Sequence, residues 1–490
     1  MGGEHVRPLV RGVAALALAA GLAVVGACGA DTMAGNATAG KDKNPGTSTT
    51  TANSTTPSAA DSRSTSTAIP QPTAAQLAAA GFEKLPVAPE SERVDRTAPP
   101  FSDPTNVTNP LFPISDLHSA ILNGRVDGKP FRTETTLLPD TRIIEWTDGQ
   151  RVETLVSKYV AYLDGRIQEV ALDLYAQADD GSVWYFGEDV YNYDEDGLIA
   201  DTSGTWLAGK EGPVAMIMPA DPKVGDVHRP ENIPGLVFEE VSVKTAGKTV
   251  DGPLGPVEGA MVGRELHDDG TYSDKVFAPG YGEFYSAHQG DVEALALAVP
   301  TDALSEPLPD ELRTLSSGAE DIFRASQSGE WKAASASIEE LRTAWDAYQR
   351  AGDVPSRLGA PMNEGLNALT GAIDARDPAE TGQAAHAAAI ASLDLQLRYQ
   401  SPAETDLARF DVWARRVLVD AAADDPAGVT GDLATLEWIR DRFADNLEGV
   451  DLTRIDAHLE ALRTTVDDKD LAAATDEAEH LRDTLRQFEK

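Results

Sequence analysis

The stretch Val170-Ala171-Leu172-Asp173-Leu174-Tyr175-Ala176-Gln177-Ala178-Asp179-Asp180-Gly181-Ser182-Val183-Trp184-Tyr185-Phe186-Gly187-Glu188 alternates with period two. Val170, Leu172 and Leu174 fall on one side of an extended chain; Ala171, Asp173, Tyr175 and Gln177 fall on the other. Asp179-Asp180-Gly181 is a tight-turn signal, and Val183-Trp184-Tyr185-Phe186 returns as a second strand. Working outward, Asp-Gly pairs recur at Asp148-Gly149, Asp196-Gly197 and Asp269-Gly270, with Pro and Gly throughout. The span 101–300 is therefore expected to be a mostly antiparallel sheet, strongly bent or sandwich-like.

Beyond Pro300 the period changes to 3.6. Ile338, Leu341, Trp345 and Tyr348 step by helical intervals, as do Leu407, Phe410, Ala414, Val417 and Ala421, and Leu471, Ala474, Ala478, Leu481, Leu485 and Phe488. Ser401-Pro402-Ala403-Glu404 reads as a capping box with proline at the first helical position. Short loops such as Asp424-Asp425-Pro426-Ala427-Gly428 imply antiparallel bundling over 301–490. The expected fold class is α+β in two domains: a mostly antiparallel β-sheet domain followed by an all-α helical bundle, each with its own packed core.

On the N-terminal side, Arg7 and Arg11 precede an uncharged apolar run, Gly12 to Ala27, which reads as a signal peptide over 1–27. It ends in Val25-Gly26-Ala27-Cys28, which resembles the bacterial lipobox. Cys28 is the one cysteine in the chain. Lipidated, it leaves no thiol for disulfides, thiolate catalysis or a Cys-ligated metal, and two acyl chains hold stably where one does not. Residues 28–73, rich in Ser, Thr, Ala and Gly, read as a disordered linker. A short helix at Ala74 to Ala80 and a Pro-rich lead-in complete 74–100. The expected location is the extracytoplasmic side of a cell membrane.

Asp plus Glu number 80 against 41 Lys plus Arg, a formal charge of -39. That balance repels phosphate backbones and disfavours nucleic acid as a partner. The signatures Gly-x-Ser-x-Gly, His-Glu-x-x-His, P-loop and Gly-x-Gly-x-x-Gly are missing, which disfavours common hydrolases and nucleotide enzymes. No cofactor is implied, and no catalytic residue can be named.

The hairpin Tyr175 to Glu188 resembles one in a family of uncharacterised bacterial exported proteins, "YAQD-x-x-G-x-VWYFGE". Further matches follow in the same order: Asn109-Pro110-Leu111-Phe112-Pro113, Gly204-Thr205-Trp206-Leu207-Ala208-Gly209, Met218-Pro219-Ala220-Asp221-Pro222-Lys223-Val224-Gly225 and Ala278-Pro279-Gly280-Tyr281-Gly282. The resemblance covers about residues 101–300 and implies a shared fold and export. It assigns no activity, and it departs at Ala178 and around His228.

Trp184, Tyr185, Phe186, Tyr191, Tyr193 and Trp206 either pack the sheet or line a groove for a sugar, lipid or cell-wall fragment, with Glu188 and Gln177 as polar anchors. The acidic turns Asp194-Glu195-Asp196-Gly197 and Asp268-Asp269-Gly270 lack EF-hand spacing and read as hairpin turns. His386 shares a face with Ile390, Leu393 and Leu397 and reads as a core histidine. Glu477 and His480 form a single Glu-x-x-His where di-iron bundles use a pair. The leading expectation is a non-enzymatic envelope lipoprotein, held to the membrane by lipid on Cys28, that binds a cell-wall or lipid ligand or an envelope protein. The alternatives are a carboxylate-dependent enzyme acting on cell-wall glycan or lipid, and a metal-uptake component with metal in the helical bundle.

Overall fold

The computed structural model describes residues 66–488, apart from 148, 353 and 448. Cys28, the signal peptide and most of the linker lie outside the described residues, as does Asp148 of one expected turn. The fold is α+β, a large antiparallel sheet followed by helices.

The sheet strands are β1 (Ser119–Val126), β2 (Lys129–Thr147), β3 (Gln150–Leu163), β4 (Arg166–Gln177), β5 (Val183–Tyr193), β6 (Ala215–Met218), β7 (Val227–Ile233), β8 (Val237–Gly252), β9 (Gly255–His267), β10 (Tyr272–Ala278), β11 (Gly282–His288) and β12 (Asp291–Val299). Their spatial order is β6-β5-β4-β3-β2-β1-β12-β11-β10-β9-β8-β7, so the first and last strands meet in the middle. Short segments Ile199–Asp201 and Trp206–Leu207 also pair with β5. Two-residue turns set the register. Asp127-Gly128 and Asp164-Gly165 have φ of 50° and 75°, and of 52° and 75°. Positive φ at both positions is the geometry that follows the twist of a hairpin.

The sheet curls on itself into a barrel. Trp206 pairs with Glu188 near one edge, and its indole Nε1 donates to Glu231 Oε1 on β7, the opposite edge, at 3.2 Å. One side of every strand therefore faces an enclosed lumen. Gly187, inside the aromatic hairpin, allows this closure: it sits at φ 123°, and a Cβ there would meet the Trp206 carbonyl oxygen at 2.2 Å. The lead-in closes one end. Phe112 packs edge-on against Tyr175 of β4 at 5.0 Å and reaches Phe277 of β10 at 6.4 Å, bridging opposite walls.

Eight helices follow among the described residues: α1 (Asp310–Gln327), α2 (Trp331–Ala351), α3 (Gly359–Ala375), α4 (Pro378–Gln396), α5 (Pro402–Ala422), α6 (Pro426–Phe443), α7 (Gly449–Asp467) and α8 (Leu471–Phe488). The α5 start carries the expected capping box, with Ser401 Oγ accepting from Glu404 N and Glu404 Oε2 accepting from Ser401 N at 3.0 Å. The short early helix is present at Ala74–Ala79, capped by Thr73 and Gln76. No helix of the described residues is long and apolar enough to cross a membrane.

Two expectations need correction. The helices are not a separate unit: their two larger apolar clusters are shared with the sheet, and only a small one, around Ala319, Ala389, Leu393 and Val412, is wholly helical. Ile121, Leu297 and Val299 of the sheet share one apolar cluster with Leu312, Leu341 and Leu366. Val160, Tyr162, Ile167 and Val170 share another with Phe410, Val417 and Leu436. The outer face of the sheet is apolar here and the helices are its cover, so burial fuses the two parts. The linker expected over 28–73 also ends earlier. Thr67–Ala68 pairs with Thr97–Ala98, and Ile69 is buried in the barrel-end core.

Candidate functional site

The aromatic hairpin packs the core. Trp184, Tyr185, Phe186 and Trp206 have no exposed surface, so the expected groove is not formed by them. Tyr185 stacks on Tyr175 at 4.8 Å, Trp206 meets Tyr185 edge-on at 5.3 Å, and Trp184 Nε1 donates to Ser182 Oγ at 2.8 Å. Gln177 is spent on the lead-in: its Oε1 accepts from the backbone N–H groups of Thr108 and Asn109 at 2.9 and 2.8 Å. The physical reason is the closed sheet, which buries both sides of β4 and β5, so large rings on either side become packing. Glu188 has another place. It points into the lumen beside Trp206.

The lumen is acidic. Cross-strand pairs trace its wall: Glu231 opposite Glu239, Glu239 opposite His267, Glu265 opposite Ser273, Lys275 opposite Ser286, Ser286 opposite Glu293, and Asp173 opposite Glu188. Among the described residues, Glu169 and Glu283 complete a set of inward carboxylates near one ammonium, Lys275, and the imidazoles of His228, His267 and His288. Burial holds Glu169 up to about 7, with the Asp173 charge adding to it. Burial also lifts Asp173 and Glu265 to about 7 and Glu293 to about 8. Glu188 and Glu231 are pushed well above the carboxylate range by burial and by one another's neighbourhood of acids. Glu239 goes the other way: burial opposes its ionisation, but the hydrogen bond and charge of His267, with Lys275, hold it below the ordinary value. Unpartnered ions are very costly in such a place, so protons or cations must neutralise the set.

Glu188 and Glu231 are the carboxylate pair that a glycan-cleaving enzyme would need beside Trp206. Both are sealed, at 1 % and 0 % exposure. A polymer cannot reach them in this state.

An open cleft of about 810 Å³ lies on the outer side of the sheet, against α3, α4 and α5. One face of α4 supplies Gln383, His386, Ala387, Ile390, Ala391 and Asp394, the spacing of a single helical stripe. The alanines leave the space, and Ile390 and Trp413 give it apolar walls. From β1 to β3 come Asn123, Arg125, Arg132, Glu134 and Tyr162, and from the turn after β3 comes Asp164. Tyr162 stacks on Trp413 at 5.4 Å, and its buried hydroxyl has no hydrogen-bond partner. Buried polar atoms are rarely left so. His386 lies edge-on to Trp413 at 4.8 Å, and Arg416 Nη1 approaches its Nε2 at 3.4 Å. Burial first, then the Arg416 and Arg415 charges, push its pKa well down, so the ring is neutral. Arg125, Arg357, Asp164 and Glu364 also line the cleft, all four exposed.

A charge network forms the cleft's floor. Arg132 holds Asp394 through two hydrogen bonds, at 2.6 and 2.9 Å, and Glu134 at 2.7 Å. Arg409 holds Asp394 and Asp406, each at 2.9 Å. Arg442 pairs with Glu134 and lies 3.6 Å from Asp406. Three guanidinium groups meet three carboxylates, tying β2 to α4, α5 and α6. Burial opposes ionisation of Glu134, but Arg409, Arg442 and Arg132 hold it well below its ordinary range.

The helical residues considered for metal fall elsewhere. His480 is exposed, and Glu477 pairs with His458 of α7, which also reaches Thr484 Oγ1 at 3.0 Å. The acidic turns behave as turns: Asp194 Oδ1 accepts from Asp196 N and Leu198 N, and Asp269 Oδ1 from Thr271 N. His228 is buried and held down to about 4 by that burial.

Comparison with protein-family models and with curated proteins gave no match.

Proposed function

We propose that this is an envelope lipoprotein, anchored through lipid on Cys28, whose body binds a small amphipathic ligand in the cleft between the sheet and α3–α5. The cleft is the observation that carries the reading. It has the size of a small-molecule site, apolar walls, and a few converging polar groups, which is the usual composition of such sites. Tyr162, whose buried hydroxyl has no hydrogen-bond partner, lines the cleft. Exposed charges of both signs line the cleft, Arg125 and Arg357 with Asp164 and Glu364, which suits a zwitterionic head. A single-chain lipid with such a head matches both features, its tail against Ile390 and Trp413.

The test is binding of a lysophospholipid to the protein below its micelle concentration, followed by Trp fluorescence and native mass spectrometry. Saturable binding is expected, reduced at least tenfold by Ala387→Trp. Ala387 is exposed on the cleft wall, so the larger side chain fills the cleft without disturbing the core. Equal binding by that variant counts against the reading.

A further inference from the structure

The lumen lies on the other face of the sheet from the cleft and calls for a separate explanation. From its geometry we infer that Glu239, Glu265 and His267 form a site for a divalent transition-metal cation at the end of the barrel away from Phe112. One oxygen from each carboxylate and a ring nitrogen of His267 lie within 4.8 Å of one another. The His267 ring stands between the acids, with Nδ1 3.5 Å from Glu239 Oε1 and Nε2 3.8 Å from Glu265 Oε2. Ligand atoms about 2.0–2.2 Å from one tetrahedral ion are roughly 3.4 Å apart. Small rotations of these side chains would reach that arrangement.

Two further observations point to a missing cation. Glu265 is 2 % exposed, and its Oε2 accepts no hydrogen bond. The nearest ammonium, Lys275 Nζ, stands 3.5 Å from it and is closer to Glu283, at 3.0 Å. Glu231, opposite Glu239 in the ladder, is fully buried and also has an oxygen, Oε2, without a partner. Buried carboxylate oxygens without a donor are unfavourable unless a proton or a cation arrives. Ser273 supports the imidazole: its hydroxyl lies 2.6 Å from His267 Nε2 and 3.2 Å from His288 Nδ1. That contact orients the ring and leaves Nδ1 toward Glu239, as outer partners do at metal sites. Entry is available, because the His267 side chain is 24 % exposed at the end away from Phe112. One imidazole and two carboxylates suit a borderline cation such as Zn²⁺ better than Mg²⁺ or Ca²⁺, which prefer all-oxygen sites.

The test uses the full purified chain, stripped with a chelator and titrated with Zn²⁺ by calorimetry. Co²⁺ serves as a spectroscopic probe of the same site. One strong site per chain is expected, with a Co²⁺ d–d band showing nitrogen and oxygen ligation. Glu265→Gln and His267→Gln, both close in volume to the native residues, should each weaken Zn²⁺ at least tenfold and remove the Co²⁺ band. His458→Gln, at the separate Glu477 pair, should leave both unchanged. Absence of a strong site overturns the inference. So does a strong site that His458→Gln abolishes and the two lumen variants leave intact. If either lumen variant fails to fold, the Co²⁺ spectrum of the unaltered protein still decides whether imidazole is a ligand.

Discussion

Arg442→Met tests whether the helices and barrel form one cooperative unit. The Arg442 guanidinium is fully buried between Glu134 of the sheet and Asp406 of α5. Its removal leaves two arginines against three carboxylates. Breaking a buried pair costs about 3–5 kcal/mol. Glu134 keeps Arg132 at 2.7 Å and Asp406 keeps Arg409 at 2.9 Å, which places the loss near the lower end of that range. With an m-value of roughly 3 kcal/mol/M, the urea midpoint should fall by about 1 M. The assay is urea unfolding, followed by helical circular dichroism and by Trp fluorescence from both parts of the chain. Both signals should move together, because the apolar clusters are shared. Adding Glu134→Gln should recover part of the loss, giving a coupling of about 1–3 kcal/mol in the double-mutant cycle. A helical signal that melts alone, or a loss below about 1 kcal/mol, would refute this reasoning.

The lumen acids should make the metal-free protein less stable as pH rises. Glu169 and Asp173 are held up to about 7 and Glu293 to about 8. Over roughly pH 4–8 the folded state keeps protons that the unfolded chain releases, so their contribution is complete below pH 4 and lost as pH rises through 7–8. Each such shift is worth roughly 3–5 kcal/mol, and less in sum because the groups interact. Thermal midpoints from pH 5 to 8 should therefore fall, and Glu293→Gln should flatten the slope; a rising midpoint would contradict this. Trp184→Ala should cost about 3–5 kcal/mol, as for other buried aromatics, while lysophospholipid affinity stays within twofold at a temperature where the variant is folded. A selective loss of affinity would return the hairpin to the binding site.

Much of the fold could be read locally. The alternation in Val170 to Gln177, the turns at Asp196-Gly197 and Asp269-Gly270 and the Ser401–Glu404 cap each act over a few residues, and each appears in place. Closure of the sheet could not be read this way. A polar side on a strand ordinarily faces water, so Asp173, Glu188 and Glu265 gave no sign that they face the lumen of a closed sheet. The Trp206–Glu231 contact between distant edges shows it. The hairpin aromatics were visible, but their fate depended on that same closure. The cleft joins the outer side of β1–β3 to a stripe on α4, more than two hundred residues later. His386 was legible as a buried histidine on an apolar face; its neighbours Tyr162 and Arg416 were not, because no local pattern brings them together.

The most direct test of the central proposal compares lysophospholipid binding by the full chain and its Ala387→Trp variant under conditions where both are folded. The cleft reading requires saturable binding, quenching or shift of Trp413 emission, and at least a tenfold loss in the variant. Binding that is absent, or that Ala387→Trp leaves unchanged, would contradict it.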